Sequence, residues 1–266
     1  MLRVMVIGML ICTAGCGPQA GVPTPAASPV ELTVFAAASL TDAFTEIGAA
    51  FAGAHPGTKI TFNFGGSQTL RTQLEQGAVA DVFASASKKD MDAAVTSGLV
   101  ADGEARVFVR NRLVVIAPKS NPAGLTALED LARPGVKIVL AAENVPVGGY
   151  ARQALANMSQ SFGAAFKDRV LANVVSDEDN VKQVVAKVRL GEADAGIVYT
   201  SDVTPAVAPQ VVTLAVPDEF NVVAAYPMAV LKSAPHSDLA AGFVKYVLAS
   251  EGQAALAKWG FIPVRP

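Results

Sequence analysis

From Glu31 onward, short and nearly continuous apolar runs alternate with segments whose apolar residues recur at helical spacing, and this alternation restricts the fold more than any other feature. The runs are Leu32–Ala38, Lys59–Gly65, Ala80–Ser85, Arg112–Pro118, Lys137–Ala141, Ala195–Tyr199 and the long stretch Asn221–Leu231. Between them the spacing predicts helices over Gln68–Gln76, Lys89–Thr96, Thr126–Leu131, Gly149–Met158 and Val181–Leu190, with Asp238–Leu248 and Glu251–Trp259 closing the chain. Ser39 falls where the first strand gives way to a helix whose apolar face is Phe44, Ile47 and Phe51. Strands this apolar, separated by helices, predict an α/β fold with parallel sheets covered on both faces. Ligands of such sheets bind beyond the carboxyl ends of the strands.

The chain has 266 residues, 52% of them apolar and 17% charged, which suits one large or two modest domains. A net charge of −2 and a pI near 5.7 argue against a nucleic-acid partner, which would want a basic surface. Residues 1–15 read as a signal peptide: Met1-Leu2-Arg3 is a positive start, and the apolar stretch Val4–Ile11 is too short to span a bilayer. Thr13-Ala14-Gly15-Cys16 resembles a bacterial lipobox, with Thr13 where leucine is usual, and makes Cys16 the expected site of lipidation. Cleavage there removes Cys12 and acylation occupies Cys16, so no disulfide is left to form. Residues 16–30, rich in proline and alanine, read as a flexible tether. The expected location is therefore outside the cytoplasm, attached to the membrane through a lipid only.

Four helix starts stand out, three of them after strand ends. They are Ser39, the turn Gly65-Gly66-Ser67-Gln68, the segment Val145–Tyr150, and Asp179-Asn180-Val181. Each helix start carries unpaired N–H donors and about half a positive charge. Glycines let backbone approach a ligand closely, and serines add hydroxyls. Tyr199, ending its strand, offers a phenol at the same level. Taken singly, each is an ordinary cap, turn or core tyrosine; together they describe a cleft of neutral donors suited to a small, fully ionised oxyanion.

The blocks LTVFAAASLTDAF, FGGSQTLRTQLEQGAVADVFASA, NRLVVIAPKSNP, NVPVGGYARQAL, EDNVKQVVAKVRLGEADAGIVYTSD and YPMAVLK, in this order, resemble the molybdate-binding proteins of bacterial molybdate ABC importers, from about Leu32 to Pro263. The resemblance implies a type II periplasmic-binding-protein-like fold of two α/β domains with a ligand cleft between them. Residues 31–111 and 222–266 would form one domain and 112–221 the other, with Arg112–Pro118 carrying the chain across and Asn221–Leu231 carrying it back. Carried over by position, the ligand contacts fall on Ser39, Ser67, Val147, Val181 and Tyr199: hydroxyls and N–H from the serines, backbone N–H from the valines, the phenol from the tyrosine. Val147 stands where alanine also occurs in the family, and Gly66 and Gln68 flank Ser67 where some relatives carry serines. The implied ligand is molybdate, with tungstate as its near-isostere and molybdenum present only as that oxyanion. No cofactor is implied. The implied partner is an ABC permease with its ATPase, served by a monomer.

Enzyme readings find less support. Ser85-Ala86-Ser87-Lys88 matches S-x-x-K without the accompanying SDN and KTG elements and reads as a strand end running into a helix cap. His55 and His236, the two histidines, lie in polar turn contexts away from any G-x-S-x-G. The acidic run Asp177–Asp179 reads as a solvated helix start rather than a metal site. The chain is therefore expected not to be an enzyme. The alternatives are a receptor for another tetrahedral oxyanion such as sulfate, or a lipid-anchored enzyme using Ser39 or Ser85.

Overall fold

The structure, a computed structural model, describes residues 29–264, so the signal segment, Cys16 and almost all of the tether lie outside the described residues. Elements follow in the order β1 (Val30–Ala37), α1 (Thr41–Ala54), β2 (Thr58–Gly65), α2 (Ser67–Glu75), β3 (Val82–Ala84), α3 (Lys88–Thr96), β4 (Arg106–Asn111) and β5 (Leu113–Pro118). Next come β6 (Ile138–Ala141), α4 (Pro146–Phe162), α5 (Phe166–Ala172), β7 (Val174–Glu178), α6 (Val181–Arg189), β8 (Ala195–Tyr199) and β9 (Val211–Ala215). The chain finishes with β10 (Ala224–Val230), α7 (Ser237–Leu248), α8 (Ser250–Lys258) and β11 (Ile262–Pro263). Val30, counted with the tether from sequence, already pairs with Thr58 in β2.

Two sheets organise these elements, giving two α/β lobes. The first runs β11-β4-β10-β3-β1-β2 and the second β7-β6-β8-β5-β9. The chain leaves the first sheet at Asn111, enters the second at Leu113, and returns to the first at Ala224. An asparagine sits at each crossing. Asn221 accepts a hydrogen bond from Leu113 N–H and donates to the Leu113 and Val216 carbonyls. Asn111 accepts one from Arg112 N–H. A crossing strand has no helix to reverse its course, and amide side chains here pair backbone groups that no ladder reaches.

The expectation of parallel sheets needs correcting. β1 runs parallel to β2 and β3, and β6 runs parallel to β7 and β8. But β10 is antiparallel to β3 and β4, and β5 is antiparallel to β8 and β9. An unbroken apolar run reports that both faces of a strand are covered and carries no information on direction. The two misjudged strands adjoin the direct crossings. β10 also holds Pro227, which cannot donate to a ladder; the register with β4 slips between Tyr226 and Pro227, a bulge that accommodates it.

Two other differences bear on the cleft. A 3-10 turn over Ala38–Leu40 separates β1 from α1, so Ser39 lies in that turn and its side chain caps no helix. The helix expected at Gly149 starts three residues earlier, with Pro146 as its first residue, where a missing N–H costs nothing. Thr126–Leu131, expected as a short helix, is instead a 3-10 helix over Leu128–Ala132. The apolar face of α1 is as the spacing predicts: Phe44, Ile47 and Phe51 are buried, and Phe243 of α7 meets Phe44 and Phe51 edge-on.

Candidate functional site

All five sequence-predicted contact residues, Ser39, Ser67, Val147, Val181 and Tyr199, line one cavity between the lobes, together with Ala37, Ala38, Gly65, Gly66, Ala86, Val145, Pro146 and Asn180. It leaves ≈ 20 Å³ for the centre of a water-sized sphere, where a single water needs about 10–15 Å³. That is far below the ~300–1,000 Å³ of pockets that take drug-sized ligands. The cavity suits one small ion.

Each wall owes its donors to an unfinished hydrogen-bond ladder. Helix α2 starts at Ser67 behind Gly66, with no side-chain cap, and its first backbone bond is Leu70 N–H to the Gly66 carbonyl. Helix α4 likewise has no side-chain cap, and its first bond is Gly149 N–H to the Val145 carbonyl. In α6 the Asn180 side chain accepts from Gln183 N–H and leaves the Val181 N–H unserved. Among the described residues the N–H groups of Ser39, Ser67, Val147 and Val181 find no partner, although all four residues are buried. Buried N–H groups are rarely left so, because each forfeits its bond to water. Three helix N-termini thus aim donors and positive dipole ends at one point.

The side chains complete the pattern. The Tyr199 hydroxyl is buried without a hydrogen-bond partner. Burial pushes its phenol well above the ordinary range, so it stays neutral and carries a proton to donate. Ser67 Oγ accepts from Ala86 N–H at 2.9 Å, a group that can only donate, which leaves the serine's own proton for the cavity. Ser39 Oγ lies 2.9 Å from the Tyr226 hydroxyl. No charged side chain lines the cavity, and no carboxylate there could accept a proton from a ligand. Among the described residues no cluster of histidine, cysteine and carboxylate side chains suits a metal ion.

Contacts between the lobes hold the walls together. Gln68 Nε2 donates to the Asp179 carbonyl at 3.1 Å, and Lys182 Nζ on α6 meets Asp42 on α1 at 2.8 Å. Gly66 is needed at this seam: a Cβ there would lie 2.5 Å from the Asp179 carbonyl oxygen. Gly148 serves the other wall, since its Cβ would overlap the Ala142 carbonyl at 2.0 Å and push α4 away from the end of β6. Behind Tyr199, the buried Asp202 carboxylate accepts from Tyr199 N–H at 3.1 Å and lies 3.6 Å from Lys182 Nζ. Desolvation raises its pKa to about 6.

The residues weighed for enzyme chemistry are engaged in local hydrogen bonds and ion pairs. Ser87 caps α3 by accepting from Asp90 N–H, while Ser85 bonds to the backbone of Ser87. His55 bonds the Phe51 carbonyl and stacks on the Phe51 ring, and His236 sits by Asp81. Neither histidine lines the cavity. In the acidic run, Asp177 pairs with Arg152 and Glu178 with Lys187, a charge-complemented start to α6. Sequence reasoning missed Tyr226 and Asn111, which stand behind Ser39. The uncharged Asn111 between Arg110 and Arg112, where two apolar stretches meet, was the available signal for one of them.

The model of a family of bacterial extracellular solute-binding proteins matches residues 32–262. The Mycobacterium tuberculosis H37Rv molybdate-binding protein ModA is 38% identical over 261 residues, covering 98% of this chain and 95% of its own. Two solved structures share the fold. The M. tuberculosis sulfate-binding protein SubI superposes with a TM-score of 0.81 at 18% identity, covering 89% of this chain and 88% of that one. The Azotobacter vinelandii periplasmic molybdate-binding protein gives 0.76 at 20% identity, covering 88% of this chain and all of that one.

Proposed function

Because the chain belongs to the family of bacterial extracellular solute-binding proteins, we propose that it captures molybdate, and tungstate as a near-isostere, outside the cytoplasmic membrane and delivers it to an ABC importer. The observation that carries this reading is the set of buried, unpaired donors, the Tyr199 hydroxyl foremost, facing a cavity of single-ion size. Taking a dianion out of water is costly unless its oxygens are hydrogen-bonded, and bonds to a charged acceptor are roughly twice as strong as neutral ones. Ser39, Ser67, Val147, Val181 and Tyr199 would supply them, each wall contributing, so that only the closed cleft offers the anion every donor.

The choice of molybdate over sulfate rests on the 38% identity to a molybdate-binding protein, since the fold alone is shared with a sulfate-binding one. Membership of a solute-binding family supports binding rather than catalysis. The mature protein would hang from an acylated Cys16 as a monomer and present both lobes to the permease, whose ATPase drives import. Calorimetry of the soluble body with molybdate, tungstate and sulfate is the test. Strong binding of the first two and weak binding of sulfate is the expected result; equal affinity for sulfate would make this a sulfate receptor.

A further inference from the structure

Behind Ser39 lies a buried polar chain that the five contact residues do not include. Asn111 ends β4 and is fully buried. Its Oδ1 accepts from Arg112 N–H at 2.9 Å and from Thr200 Oγ at 3.0 Å. A backbone N–H can only donate, so the amide cannot be turned the other way round. Nδ2 therefore faces Ser201 Oγ at 2.8 Å and the Tyr226 hydroxyl at 3.4 Å, giving one hydrogen to each. Tyr226 is fully buried and its phenol is held far above the ordinary range by desolvation, so it keeps its hydrogen. Having accepted from Asn111, it directs that hydrogen to Ser39 Oγ, 2.9 Å away. Ser39 Oγ is thus already an acceptor on its inner side, and its own proton is left to point into the cavity.

We propose that Asn111 and Tyr226 are positioning residues that set the direction of the Ser39 proton, so that this hydroxyl meets the ligand as a donor. The inference rests on the oxyanion reading above and adds to it a source of selectivity. A tetrahedral anion without protons finds a donor at Ser39. One that carries a proton, such as hydrogen phosphate, brings an O–H to a site where both serines accept a bond from behind, Ser67 from Ala86 N–H and Ser39 from Tyr226, and so turn their own protons toward it. Sites built around one hydrogen-bond polarity reject the opposite polarity strongly, because a buried group is left unpaired. The relay starts at Arg112, where the chain passes between the lobes, so the proton direction is set by backbone that the crossing itself holds in place.

The simpler account is that Tyr226 is a core tyrosine that happens to find a polar neighbour, packed edge-on against Phe108 and Phe261. The two accounts separate on one measurable ratio. At pH 8 hydrogen phosphate carries the same two charges as tungstate, so the ratio of their affinities cancels any general effect of charge or of loosened packing. In Asn111→Asp the carboxylate can keep the Arg112 N–H but cannot donate to Tyr226; the phenol turns to the carboxylate, Ser39 donates to Tyr226, and a lone pair faces the ligand. Titration calorimetry, with competition where one anion binds weakly, should find the tungstate-to-phosphate ratio lowered at least about tenfold, since discrimination of ~1.4 kcal/mol is one decade. Tyr226→Phe, which frees the Ser39 hydroxyl to turn either way, should lower the ratio by a smaller factor and keeps the test open if the aspartate variant does not fold. Equal weakening of both anions in either folded variant, or no change, overturns the relay. A wild type that binds neither tungstate nor molybdate fails the proposed function instead, and wild-type measurements come first for that reason.

Discussion

The two walls of the cavity supply the same kind of donor by different means. The first-lobe wall adds to the N–H groups of Ser39 and Ser67 their hydroxyls, which rotate and can accept as well as donate. Their polarity has to be imposed from behind, on Ser67 by Ala86 N–H and on Ser39 through Tyr226. The second-lobe wall relies on the N–H groups of Val147 and Val181 at uncapped or incompletely capped helix starts, which have one polarity and need no such support. Tyr199 adds a side-chain donor there, an unpaired phenol lining the cavity. Hydroxyl donors can therefore be broken by deleting a side chain, whereas backbone donors yield only to a change in the backbone.

The largest effect should come from Ser67→Ala. It removes a donor to a charged ligand, worth ~1.5–3 kcal/mol, and also orphans the buried Ala86 N–H, at about 1–3 kcal/mol of stability. Molybdate affinity should fall at least about ten- to a hundredfold, and the melting temperature should drop, by calorimetry and thermal unfolding. On the other wall, Val181 occupies the first position of α6, where proline fits, and Asn180 before it already has the extended backbone that proline requires. Val181→Pro should cost about ten- to a hundredfold in affinity, as Tyr199→Phe should, while far-ultraviolet circular dichroism stays that of the wild type. If Val181→Pro binds as well as wild type, the backbone wall is misassigned.

The second wall also holds a titratable group behind it, Asp202, with its pKa raised to about 6. Between the unfolded value and about pH 6 the native state binds more protons than the unfolded one, so stability falls as pH rises through that window. The burden of the ionised carboxylate, on the order of 3 kcal/mol, is fully present above about pH 6 and is relieved progressively as pH falls to the unfolded value. Chemical denaturation between pH 4 and 8 should show that decline in the wild type and a flatter profile in Asp202→Asn; identical slopes would contradict it. Smaller again is Asp42→Asn, which removes the partly exposed bond to Lys182 across the seam and should lower molybdate affinity only a few-fold, about 0.2–1 kcal/mol, more visibly at low salt. The smallest effect belongs to Val181→Ala. Trimming this buried side chain should lower the melting temperature yet leave affinity within about threefold, because the N–H remains. A larger loss of affinity would mean that the side chain, not the backbone, meets the anion.

Much of the fold was readable along the chain because its signals are local. The apolar face of Phe44, Ile47 and Phe51 lies where a 3.6-residue period puts it, and Asn180 caps α6 as its position before an apolar helix suggests. Strand direction was not readable, because β5 and β10 are as apolar as their parallel neighbours and differ only in what they connect. The start of α4 was readable and was missed: Pro146 marks a first helical residue.

By itself the sequence determined most of the secondary elements, though not β4, α5, β7 or β9, and the residues standing at the turns that matter, since capping, periodicity and turn chemistry act over a few residues. It also determined that the donors would be neutral, as no charged residue occupies those turns except Asp179, which turns its carbonyl to Gln68. Only the tertiary structure decided that Ser67 and Val181, 114 positions apart in numbering, share one cavity the size of a single ion. It alone decided which way each hydroxyl points, because Ser39 takes its polarity from Tyr226 at a separation of 187 residues. A hydroxyl has no intrinsic direction; its partners give it one, and those partners are set by which strands one sheet brings side by side rather than by neighbours along the chain.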